Sequence, residues 1–261
     1  MLKALLARAH QGYRTVAYPA APPTLPDRLR GRPHLDPTKC PPDCQACVEV
    51  CPTAALKIVA GKPQLDLGRC LFCPECERAC PHGALHFTPD ARLATSHRAA
   101  LHFDGRELEL ARALDEQSRK LFGRSLKLRQ VSAGGCNACE ADLNVLTTVV
   151  FDLSRFGIRF VAAPRHADGL VITGPVTRNM RLALQKTWAA VPPPKLVIAV
   201  GACAISGGPF AGHAEQHDGV ESVLPVDLFI PGCPPHPITI LDGLLRLLGR
   251  LTPASPGKEI S

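Results

Sequence analysis

Residues 40–52 read CPPDCQACVEVCP and residues 70–81 read CLFCPECERACP. Each run holds four cysteines and closes on Cys-Pro. The last three cysteines of the first run, Cys44, Cys47 and Cys51, recur 29 positions later as Cys73, Cys76 and Cys80. The flanks repeat as well, CPTAALKI against CPHGALHF. No other feature constrains the fold as strongly: the duplication predicts two equivalent half-domains about a pseudo-twofold axis. It also leaves eight thiols that something must hold.

Metal is the expected answer. The chain has 12 cysteines, and its opening stretch, MLKALLARAHQGYRTVAYP, is interrupted by Lys3, Arg8 and Arg14, so it is expected to lack an export signal. A reducing compartment disfavours disulfides. The second run has the full spacing of a bacterial two-cluster ferredoxin, C-x2-C-x2-C-x3-C-P; the first carries one extra residue between Cys40 and Cys44. In that arrangement a tight loop supplies three thiolates, and the cysteine before proline crosses to the other cluster. Cys40, Cys44, Cys47 and Cys80 are therefore expected to hold one 4Fe–4S cluster, and Cys51, Cys70, Cys73 and Cys76 a second. Paired structural zinc sites are the alternative, although such sites rarely show the Cys-Pro crossover.

From residue 125 short β-rich runs alternate with helical stretches, which predicts a parallel sheet covered on both faces. Strands are expected near 126–131, 158–163, 169–173, 195–200 and 226–230, and helices near 140–155, 178–190 and 237–250. Cys136 and Cys139 follow the first strand through SAGG, Cys203 follows KLVIAV, and Cys233 follows VDLFI. Open α/β sheets bind ligands at the carboxyl ends of their strands, so these four cysteines converge on a third 4Fe–4S site. A redox dithiol at Cys136 and Cys139 is an alternative that leaves Cys203 and Cys233 unexplained. Structural zinc is another. Twelve cysteines make three sets of four.

Net charge and motifs exclude several functions. The formal charge is +7, but each cluster with four thiolates adds about −2, which brings three clusters close to neutrality. With aromatics at 5% and no basic block carrying interleaved aromatics, nucleic-acid binding is not expected. The basic excess reads as solvated surface or as a docking face for acidic partners. There is no P-loop and no G-x-G-x-x-G after a strand, so no nucleotide is expected either. No apolar run is long enough to cross a bilayer. Leu2, Leu5, Leu6, Ala9 and Tyr13 share one helical face, which suits docking on a membrane partner, a lipid surface or the protein's own body.

The segments GGCNACEADLN, APRHADGLVITGPVTRNM, GACAISGGPFAG and IPGCPPHPITILDGLLRLL resemble the small subunit of membrane-associated, energy-converting NiFe hydrogenases of the formate hydrogenlyase type. That family is homologous to the 20 kDa subunit of NADH:quinone oxidoreductase. YRTVAYPAAPPTLPDRLRGRPHLDP and the two cysteine runs resemble the separate ferredoxin-like subunit of the same complexes. The chain thus resembles a fusion of two neighbouring subunits. The resemblance implies that Cys136, Cys139, Cys203 and Cys233 ligate a cluster proximal to the partner's active site. Asp142 falls at the family's acidic position, and Arg165 and Thr177 in loops near that cluster, unless Arg165 is merely solvated and Thr177 an N-cap. Hydrogenase-type subunits have C-x-x-C where quinone-reductase subunits have adjacent cysteines. The histidines, His82 and His236 included, are assigned no ligand role.

The expected organisation is a docking segment at 1–35, an α+β two-cluster ferredoxin-like domain at 36–89 and a helical linker at 90–124. A flavodoxin-like parallel α/β domain follows at 125–252, then a polar tail at 253–261. The expected function is an electron relay through three clusters between a donor subunit and a hydrogenase-type large subunit. The chain is expected not to be catalytic alone and to lie peripheral to a membrane complex on its cytoplasmic side. An equivalent relay in a complex I-like quinone oxidoreductase is one alternative, and a zinc-stabilised interaction module the other.

Overall fold

The computed structural model describes residues 2–41 and 43–251, so the polar tail expected at 253–261 lies outside the described residues. Chain order begins with helix α1 (Leu2–Gln11), none of whose residues is buried. The expected docking segment has two parts. Beyond α1 the Pro-rich chain straps onto the α/β domain: the Val16 N–H donates to the Val150 carbonyl at 2.8 Å, and Leu25 and Leu29 pack against that domain's core. The Tyr18 hydroxyl donates to Asp242 Oδ1 at 2.6 Å.

The duplicated region folds as its repeat requires. Its elements are β1 (Pro33–Leu35), α2 (Ala46–Glu49), β2 (Leu56–Val59), β3 (Lys62–Asp66), α3 (Glu75–Ala79) and β4 (Leu85–Phe87). Each half is strand, short helix, strand. The outer strands β1 and β4 pair antiparallel, as do the inner strands β2 and β3. Leu35 and Leu85 face each other in that ladder and are both buried, while their neighbours His34 and His86 are exposed.

The expected helical linker is mostly extended. A single 3-10 turn at Arg98–Leu101 leads into β5 (His102–Phe103), which pairs with β3 as a third strand. Only α4 (Glu116–Phe122) is α-helical, capped by Asp115, whose side chain accepts from the Ser118 N–H. The reason lies in how the apolar positions are used. Leu101 at the end of that 3-10 turn, Phe103 on β5 and Leu108 in the chain beyond it reach into the core. The backbone finds partners elsewhere, the Ala111 N–H on the Ala94 carbonyl and the Leu114 N–H on the Leu247 carbonyl. The linker also exchanges two hydrogen bonds between Thr95 and Phe229, which covers an edge of the second sheet.

The α/β domain comprises β6 (Leu126–Ser132), α5 (Ala138–Val145), β7 (Ile158–Phe160), β8 (Gly169–Thr173), α6 (Arg178–Ala190), β9 (Leu196–Val200), α7 (Ala202–Ser206), β10 (Leu228–Ile230) and α8 (Pro237–Leu247). The strand order is β10-β9-β8-β6-β7, all parallel, which is the flavodoxin-like order. Every residue of β8 and β9 is buried, as strands covered on both faces require. The helix expected at 140–155 stops at Val145. Thr147 and Thr148 turn their hydroxyls back onto the carbonyls of Asn144 and Val145, and Asp152 takes a positive φ of 44°. The chain runs from β6 to β7 on one side and then crosses to β8 on the other. That places the topological switch point between β6 and β8, above their carboxyl ends.

Candidate metal centres

All twelve cysteines are free thiols, and they fall into three neighbourhoods. The first gathers Cys40, Cys44, Cys47 and Cys80 around one small cavity walled by Leu35 and Leu85. Cys47 lies on α2, and Cys80 arrives from the end of α3 in the other half. A 3-10 turn at Pro37–Lys39, capped by Asp36, delivers Cys40, so the extra residue before Cys44 does not displace it from the group. The second cavity gathers Cys51, Cys70, Cys73 and Cys76. Cys51 and Cys80 have thus exchanged halves.

Ionisation behaviour follows from this crowding. Burial pushes the Cys47 thiol up to about 11, and neighbouring Cys40 and Cys80 add to it. Burial also pushes Cys76 up to about 12, assisted by Cys73 and Cys51. Cys40 and the deeply buried Cys70 are raised for the same reason, burial first and neighbouring thiols after. Four thiolates cannot share such a site unless a cationic core neutralises them. Iron–sulfur cores do this, and the protein tunes them through N–H···S hydrogen bonds. Those donors are present: the Ala55 N–H on Cys51 Sγ at 3.2 Å, the Ala84 N–H on Cys80 Sγ at 3.3 Å and the Phe72 N–H on Cys70 Sγ at 3.3 Å. The first two are repeat-related.

The third neighbourhood lies over the switch point. Cys136 and Cys139 come from the β6–α5 turn, where Asn137 takes a left-handed φ of 70°. Cys203 lies in the first turn of α7, and Cys233 in the loop after β10. Gly201 (φ +91°) is obligatory here, because a Cβ would stand 2.5 Å from Cys139 Sγ; at Gly208 (φ +55°) it would stand 2.9 Å from Cys203 Sγ. Burial pushes Cys203 up to about 11, with Cys233 and Cys136 adding to it. Cys139 is raised by burial and then by Cys203, Glu140 and Cys233. Cys136 and Cys233 are exposed, so this group opens to the surface. Among the described residues no three His, Cys, Asp or Glu side chains stand close enough to hold a single ion.

Sequence reasoning missed Glu140. It is 5% exposed, and its Oε1 accepts from Ser132 Oγ and Thr173 Oγ1, both at 2.6 Å. Ser132 and Thr173 are the last register pair of β6 and β8, so Glu140 clamps the switch point. Burial alone raises the Glu140 pKa, but the two hydroxyl donors outweigh it and hold the carboxyl below its ordinary value. Two hydroxyl residues ending neighbouring apolar strands were the available signal. The singled-out residues stand elsewhere. Asp142, raised by burial, lines a separate cavity with Arg30 and Phe72, beside the prolines flanking Cys233. Arg165 is exposed. Thr177 occupies the N-cap position of α6 without a side-chain cap bond, and would meet a Cβ placed on Gly134. His236 accepts the Ile238 N–H on Nδ1 at 3.1 Å, capping α8, and His82 is exposed beside the first cavity.

Residues 136–247 match the family described as NADH ubiquinone oxidoreductase, 20 Kd subunit, and residues 39–84 match the 4Fe-4S dicluster domain. The probable membrane-bound hydrogenase subunit mbhJ of Pyrococcus furiosus is 38% identical over 139 residues, which cover 53% of this chain and 83% of that protein. The chain belongs to the 20 Kd subunit family. It is a member with a 4Fe-4S dicluster domain placed ahead of the family domain in the same polypeptide. Formate hydrogenlyase subunit 7 of Escherichia coli is 44% identical over 132 residues, 51% of this chain. The alignment spans about half of that relative's length, at 52%. An NADH-quinone oxidoreductase subunit of Heliobacterium modesticaldum is 40% identical over 127 residues, 48% of this chain and 73% of the relative.

Proposed function

We propose that the chain is an electron-transfer subunit holding three 4Fe–4S clusters in a row. Cys40, Cys44, Cys47 and Cys80 serve the first, Cys51, Cys70, Cys73 and Cys76 the second, and Cys136, Cys139, Cys203 and Cys233 the third. The observation that carries this reading is electrostatic proximity between successive groups. Cys47 of the first group adds to the raised pKa of Cys76 in the second. Cys73 of the second adds to that of Cys233 in the third, after burial and Cys136. Clusters held by such sets supply one-electron chemistry. The chain's own part is to fix their order, to bury Cys70 and Cys76 of the middle set and to tune the first two through N–H···S donors on Cys80, Cys51 and Cys70.

The open side of the third group, where Cys136 and Cys233 are exposed, suits a partner large subunit. The first group suits an electron donor subunit. We assign residues 36–89 and 125–252 to the two cluster-bearing domains, joined by 90–124. The C-x-x-C of Cys136 and Cys139 favours a hydrogenase-type partner. The likeness to an NADH-quinone oxidoreductase subunit favours an equivalent relay toward quinone as the second reading. No helix of the described residues is long and apolar enough to cross a membrane. We assign the chain as a peripheral subunit on the cytoplasmic side of a membrane complex, a reading supported by its likeness to a probable membrane-bound hydrogenase subunit. Metal analysis of anaerobically purified protein tests the cofactor assignment. About twelve irons and twelve acid-labile sulfides per chain are expected, and zinc with little sulfide would exclude it.

A further inference from the structure

Helix α1 is the part of the chain that the relay does not use. It presents Leu2, Leu5 and Leu6 at 70%, 65% and 62% exposure and buries nothing. Packing on the protein's own body is therefore not its role in this fold. At about 100° per residue, Leu2, Leu5, Leu6 and Ala9 form one stripe, with Lys3 and His10 on one flank and Arg8 on the other. The first acidic residue of the chain is Asp27, so residues 2–26 carry Lys3, Arg8 and Arg14 with no acid among them.

The helix is closed at its end and the chain just beyond it is anchored. Its end is fixed by the Arg8 guanidinium, which donates to the Gly12 carbonyl at 2.6 Å and lies 4.4 Å over the Tyr13 ring. A few residues on, the Thr15 hydroxyl donates to the Val149 carbonyl at 2.7 Å. Val149 and Val150 are themselves exposed, at 72% and 40%. The leucine stripe and these valines thus flank one short anchored connection.

We propose that α1 lies in the headgroup region of an anionic bilayer, leucines toward the acyl chains and basic residues toward lipid phosphates. The charge selects this occupant: an acid-free, basic-flanked apolar stripe complements an anionic surface. A ten-residue helix is about 15 Å long and inserts on one side without spanning. One such helix gives weak, salt-sensitive attachment, which acts with other contacts to orient the chain. This inference goes beyond the relay and does not depend on it, since its readout needs no redox chemistry.

The test is co-flotation of the cluster-loaded full chain with vesicles of phosphatidylcholine alone or mixed with phosphatidylglycerol. Binding is expected only to the anionic vesicles, weakened about tenfold or more in high salt. The double variant Leu5→Asp/Leu6→Asp, on side chains that are mostly exposed, should lose flotation while keeping its iron content. Equal flotation of variant and wild type would overturn the proposal. So would failure to float with lipid vesicles alongside binding to native membranes that protease shaving abolishes, which would give the face to a protein.

Discussion

Cys73, in the duplicated half, stands near enough to Cys233, in the α/β half, for its charge to raise the Cys233 pKa. This proximity falls where the two domains meet, at the point where a relay would have to be continuous. It is supported on one side by Ser206, whose hydroxyl donates to the Gly68 carbonyl at 2.9 Å. Arg30 supports the other side, donating to the Phe72 carbonyl at 2.5 Å. Fusion in one chain thus holds together what two separate subunits would have to find by docking.

The third group is separable from the other two. Cys136→Ser should remove one EPR-active centre and about four irons while the two signals from the duplicated domain survive. Loss of all three signals, or of none, would show that these four cysteines are not an independent site.

The crossover makes a sharper prediction. Cys80 closes the second run, yet it sits with Cys40, Cys44 and Cys47. Cys80→Ser should therefore perturb the same EPR signal as Cys44→Ser, and Cys51→Ser the same signal as Cys73→Ser. Pairing of Cys80 with Cys73 instead would contradict the grouping.

Tyr18 staples the N-terminal strap to a buried ion pair, Asp242 with Arg246, whose closest approach is 2.7 Å. Burial, followed by the Asp242 charge and hydrogen bond, raises the Tyr18 pKa well above its ordinary value. Tyr18→Phe should cost about 1–2 kcal/mol, because a buried carboxylate loses a donor. A phenol with a raised folded pKa contributes stability that is fully present below about pH 10 and lost as pH rises further. The difference between wild type and variant in denaturant melts should accordingly shrink above that pH. A gap that widens would refute the assignment.

Removal of the clusters should act unevenly. In the duplicated domain Cys47, Cys70 and Cys76 are themselves part of the buried core, and α2 and α3 are only 4 and 5 residues long. Such elements do not stand without a central ligand. Chelated apoprotein should lose amide-exchange protection across 36–89, while β8 and β9 keep theirs. Uniform loss would show one cooperative unit.

The legibility of the sequence followed the range of the signal. The cysteine grouping could be read because the 29-residue repeat is local and the crossover follows from spacing. The place of Cys136, Cys139, Cys203 and Cys233 after strands of one sheet could be read because loops rich in Gly or Pro follow Ser132, Val200 and Ile230. The linker was misread because His102 and Phe103 pair with β3, a long-range partnership that no local periodicity records. Tyr18 on Asp242 and Glu140 on Ser132 and Thr173 are likewise meetings of distant residues.

The central claim is three centres in sequence, and full reduction followed by EPR spin counting tests it most directly. The account predicts three spins per chain, with broadening from interaction between the first and second centres and between the second and third. Two spins, or three that do not interact, would contradict it.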